Sequence, residues 1–137
     1  MLENALGLLA IAQKGGNIQI GEEPVGAVAR GGKARLIILA SDAAGHTQRR
    51  ANSFGAVHQT PIVSIDATKD ALGAMFGRSS VAMAALTDAW LAKSFLERLD
   101  APDRYGPQLT AVSEKAAALA RRSGDRRGRN RKKGKKL

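Results

Sequence analysis

Apolar side chains recur at helical spacing from the start of the chain: Leu2, Leu6 and Leu9 mark a stripe that Leu8, Ile11 and Ala12 broaden, and Gly15-Gly16 follow as a C-terminal cap would. The pattern then changes period. Ile18-Gln19-Ile20 reads as a short strand, Gly21 turns it, and a second helix is predicted over 22–30, with Pro24 tolerable in its first turn and Gly31-Gly32 stopping it. Residues 35–40, RLIILA, form a continuous β-rich apolar run of the kind found in a strand covered on both faces. A helix over 45–54, a strand over 61–65, a short helix over 69–76, a strand over 81–86 and a helix over 88–99 with Thr87 as N-cap complete the series. Helices and strands alternate throughout. A three-layer α/β/α sandwich with a central, mostly four-stranded mixed sheet is the architecture this order predicts.

The 137 residues suffice for one core and not for two ordinary domains. After Leu99, DAPDRYGPQ holds two of the four prolines, so the domain boundary is predicted at residue 100, with a linker over 101–110 and a short alanine-rich helix over 111–122. Charge then changes the picture. Residues 1–120 carry 12 Lys/Arg against 11 Asp/Glu, whereas residues 121–137 carry 10 against one. With no apolar side chain before Leu137, residues 123–137 are expected to form a disordered basic tail. Arg121, Arg122, Arg126, Arg127, Arg129, Arg131, Lys132, Lys133, Lys135 and Lys136 suit nonspecific phosphate contacts, and no aromatic side chain stands among them to stack on bases.

Other chemistries find little support. The absence of cysteine excludes disulfides, thiol nucleophiles and cysteine-ligated metals. The first residues lack the basic start of a signal peptide, and the apolar run over 5–12 is far short of the roughly 20 residues a bilayer requires; a soluble cytoplasmic protein is expected. His46 and His58 have no carboxylate at ligand spacing, so no metal is expected. Asp42 ends a strand, where α/β enzymes keep catalytic groups, but an Asp before a helix more often caps it. GNIQIG lacks the dinucleotide fingerprint and no phosphate loop occurs. We therefore expect no enzyme, no cofactor and no small-molecule substrate.

One stretch is too particular to be punctuation: over 62–88, a short helix opens with Leu72-Gly73 and closes on Gly77-Arg78-Ser79-Ser80 before the next strand. Together with LGLLAIAQKGG near the start and GEEPVGAVARGGKARLIILASDA over 21–43, it resembles the kink-turn-binding ribosomal-protein superfamily (L-seven-Ae-like), in its bacterial YlxQ-type branch, over about residues 1–99. The resemblance implies a noncatalytic RNA-binding module whose contacts come from the start of the second helix and from this loop, with structured RNA such as rRNA, and the ribosome, as partners. The family's glycine falls on Gly21. Its three polar positions fall on Glu23, Pro24 and Ala27, of which Glu23 alone keeps a group that can accept from a guanine amino group. Leu72, Gly73 and Gly77 match the family's loop, and Arg78, Ser79 and Ser80 occupy the stretch that meets looped-out nucleotides, good chemistry for phosphate and sugar. Glu22, at the helix start, and Lys33 and Arg35, before the central strand, complete the predicted RNA face, which Arg49 and Arg50 could extend. Two alternatives remain open: a substrate-recognition domain of the kind attached to ribose methyltransferases, and a protein-interaction module whose basic tail alone touches RNA.

Overall fold

Four consecutive side chains, Leu36 to Leu39, are all buried, which requires cover on both faces of the strand they form. In the computed structural model, which describes residues 2–136 apart from the side chains of 102, 103 and 122–136, that strand is β2 (Leu36–Leu39). It lies inside a sheet of order β1-β4-β2-β3 with β1 (Ile18–Ile20), β3 (Ile62–Ser64) and β4 (Met83–Leu86). β4 runs antiparallel to both neighbours, while β2 and β3 are parallel. Ile38 pairs with Ala84 on one side and Val63 on the other.

The period of two along β2 sorts its side chains. Leu36 and Ile38 enter a core shared with α1 (Leu2–Lys14), α4 (Lys69–Met75), α5 (Ala89–Leu99) and α6 (Pro102–Lys136). Ile37 and Leu39 face the smaller cluster built by α2 (Glu22–Arg30) and α3 (Gly45–His58). Helices on both faces of a mixed sheet make the three-layer sandwich that the alternating pattern predicted. No helix of the described residues is long and apolar enough to cross a membrane.

Three local expectations differ from what the chain does. The helix predicted to end at Phe54 continues to His58, because the stop is Gln59 in the left-handed region at φ 55°, a conformation its sequence does not advertise. The cap of α5 is Asp88 and not Thr87: its carboxylate accepts from Leu91 N at 2.9 Å. Asp42 does cap a helix, but a distant one, accepting from Lys69 N at 2.8 Å at the first turn of α4.

The largest difference is α6. The linker predicted over 101–110 is helical from Pro102, since proline at the first helical position sacrifices no hydrogen bond, and Pro107 forfeits only one near that end. Tyr105, Val112 and Ala116 are buried, with Leu109 packed beside them; these positions recur at helical spacing and extend the core beyond the predicted boundary at residue 100. The helical backbone continues to Lys136, over the residues for which a disordered tail was predicted. The phosphate contacts predicted for Arg122 and the cations after it lie outside the described side chains; Arg121 is exposed.

α6 also seals a sheet edge. The Tyr105 hydroxyl donates to Ser64 O at 2.8 Å and Gln108 Nε2 to Ile62 O at 3.3 Å, so carbonyls of β3 that face no strand are satisfied by side chains.

Candidate nucleic-acid interface

β1, β2 and β3 finish at the end of the sheet where β4 begins, and this topology brings the two predicted motifs together. Gly21 N donates to Met83 O at 2.9 Å, which ties the start of α2 to the first residue of β4. The loop leading into β4 therefore lies beside α2. Arg78 Nη1 reaches Ile20 O at 3.4 Å, across 58 residues of sequence. Gly21 sits at φ 101°, a backbone region closed to most side chains, and precedes α2 without a side-chain cap.

Loop shape is set by two glycines in different ways. A Cβ on Gly73 would stand 2.7 Å from Ser80 N and 2.8 Å from Arg78 O, so α4 and the returning chain approach as closely as backbone allows. Arg78 N donates to Gly73 O at 2.7 Å across this contact. Gly77 has open space around it but adopts φ 72°, the positive angle that its position in the loop demands. Leu72 and Phe76 point into the core and anchor α4, while Arg78, Ser79 and Ser80 are exposed. The result is a fixed turn with one guanidinium and two hydroxyls on its outer side.

Along α2, Glu22 and Glu23 play different parts. Glu22 accepts from Thr47 Oγ1 at 3.1 Å through Oε1 and meets Arg50 Nε at 3.4 Å through Oε2, so it joins α2 to α3. The packing of α2 against α3 brings Thr47 beside Glu22. Nothing in the sequence marked Thr47. Glu23, Pro24 and Ala27 are exposed. A free carboxylate beside the helix start repels phosphate yet accepts well from ring and amino N–H groups, so α2 offers chemistry for a base edge and Arg78 offers it for a phosphate.

Arg49 and Arg50 were expected to extend the site. Both are exposed near the start of α3, but Arg50 is engaged by Glu22 and lies over the Phe54 ring, 5.6 Å from its centroid. Lys33 and Arg35 do not join this site. They precede β2, at the opposite end of the sheet, where Arg35 N donates to Leu86 O at the far end of β4.

No family model and no curated protein matches the chain. Among solved structures it is similar to a protein with unknown function from Bacillus halodurans C, at 26% identity and a TM-score of 0.64, over 71% of this chain and 97% of that one.

Proposed function

We propose that the chain is a noncatalytic RNA-binding protein that holds structured, kinked or bulged RNA such as rRNA, acting in the cytoplasm as a translation-associated accessory factor. The observation that carries this reading is the meeting of the α2 start with the Gly73–Ser80 loop. Two motifs some 50 residues apart, each resembling one half of the kink-turn binders' recognition surface, are adjacent through the Arg78 to Ile20 contact. A rigid loop bearing Arg78, Ser79 and Ser80 grips backbone beside a splayed nucleotide, and Glu23 reads an exposed base edge. Helix α6 carries the cations of residues 121–137, which add salt-dependent, sequence-independent affinity.

The test is titration of the full chain and its Arg78→Ala variant with a bulged RNA and with a fully paired duplex, at a fixed moderate salt concentration that suppresses the nonspecific component. Loss of one charge-assisted contact should weaken binding to the bulged RNA by about 10- to 150-fold, with little change for the duplex. Equal affinities of both proteins for the bulged RNA would remove the loop from the site and favour a protein-interaction role.

A further inference from the structure

The other end of the sheet holds a second feature. Where β2 and β3 begin, α6 passes beside the turns that lead into both strands and encloses a cleft of about 460 Å³. Its walls carry Arg35, His58, Gln59, Thr60, Glu114 and Lys115. Arg35, half-buried, donates Nη1 to Gly32 O at 3.2 Å and forms no ion pair among the described residues. One donor of its planar fork is thus used to orient it, and the others remain available. A cation withdrawn from water without a counter-ion is costly, and an anionic ligand relieves that cost.

Other groups around the cleft fit the same kind of ligand. Thr60 is 8% exposed and lines the cleft. The backbone amides of Gln59 and Thr60 are both spent on Gly55 O, which leaves recognition to side chains. His58 Nε2 faces Arg30 O at 3.2 Å and, because a carbonyl only accepts, donates its proton there. Lys115 on α6 lines the same cleft as Arg35, and Glu114 is the one carboxylate in the lining. From this wall α6 continues into residues 121–136, which carry 10 Lys/Arg against one Asp/Glu, beginning with the exposed Arg121.

We propose that this cleft is a phosphate-binding site, in which the Arg35 guanidinium grips two phosphate oxygens while the Thr60 hydroxyl and the Lys115 ammonium donate to the rest. The phosphate comes either from the backbone of a bound RNA or from a free nucleotide. With RNA as its source, the inference rests on the proposed RNA-binding function and gives the RNA a second attachment at the far end of the sheet from Arg78.

Two probes distinguish the sources: adenosine monophosphate and a short single-stranded RNA, each titrated into the isotope-labelled full chain while backbone amide shifts are followed. The expected result is movement of the Gln59, Thr60 and Lys115 amides with at least one probe. Arg35→Ala and Lys115→Ala should each weaken that response about tenfold or more, as loss of a charge-assisted contact does. Arg35→Lys, which keeps the charge and loses the fork, should recover only part of it. Lys115→Ala alters an exposed side chain, so its effect cannot come from unfolding. Cleft shifts with the nucleotide alone assign the site to free nucleotides. RNA-induced shifts at Arg78 with neither probe moving the cleft would overturn this inference and leave the proposed function standing, and no shifts in either place would overturn both. Cleft shifts unchanged in Arg35→Ala would also refute it.

Discussion

Gly73→Ala tests whether the loop is held in shape by contact rather than by sequence preference. The added Cβ would lie 2.7 Å from Ser80 N and 2.8 Å from both Arg78 O and the Ser79 carbonyl carbon, against an ordinary contact of at least 3.4 Å. These are backbone atoms and cannot rotate away. The strand-ward limb of the loop must therefore retreat by several tenths of an ångström or α4 must tilt, and Val81 N, bonded to Lys69 O at 3.0 Å, resists either movement. Overpacking of this kind costs about 1–3 kcal/mol. At roughly 4 °C per kcal/mol for a chain of this size, melting should fall by about 4–12 °C, read by calorimetry. Gly77→Ala is the control. It meets no atom within 4 Å and costs only the left-handed strain of about 1–2 kcal/mol, and Gly77→Asn should cost less, since asparagine tolerates that region. The ordering extends to binding: Gly73→Ala displaces Arg78 and should lower RNA affinity in the folded protein, whereas Gly77→Asn should leave it nearly intact. A Gly73→Ala protein that melts like the wild type, with an unmoved Ser80 amide, would refute the argument.

Truncation after residue 100 should abolish cooperative unfolding, because Tyr105, Val112 and Ala116 leave the core; a cooperative transition in that fragment, followed by circular dichroism, would restore the boundary predicted from sequence. Truncation after residue 120 should instead preserve the fold and flatten the salt dependence of RNA binding, each lost phosphate contact removing about 0.7–0.9 from the log–log slope. Tyr105 is held above its ordinary pKa of 10.0, chiefly by burial, with nearby Arg104 opposing the shift. A raised acid pKa means that the fold prefers the neutral phenol, so this contribution to stability is complete below pH 10 and is lost as pH rises through the folded value. Tyr105→Phe should cost about 0.5–1.5 kcal/mol at neutral pH by losing the bond to Ser64 O and should blunt the alkaline loss, measured as urea midpoints across pH.

Much of this molecule was legible in its sequence because its signals are local. The apolar run of β2, the glycine stops around α2 and the positive φ at Gly77 all follow from residue types acting on their own backbone. What escaped were features created by topology. The Glu22 bond to Thr47 spans 25 residues of sequence, and the strand order puts Arg35 at the end of the sheet opposite the α2 start. Helix α6 shows a third cause: its stripe of Tyr105, Leu109, Val112 and Ala116 lies between prolines at its start and a run of charge at its end, both of which usually mark the edge of a fold.

The strand order has a consequence for the making of the protein. β4, last of the strands in sequence, sits second in the sheet, and among the described residues β1 pairs with β4 alone. Residues 18–20 must therefore wait, unpaired, until residues 83–86 have been synthesised and have left the ribosomal tunnel. Before that moment a nascent chain can assemble only the parallel β2–β3 pair, with its slow, non-local closure. After it, β4 docks into the gap between β1 and β2 and joins all four strands, while the core around them is completed only when Tyr105, Val112 and Ala116 of α6 follow.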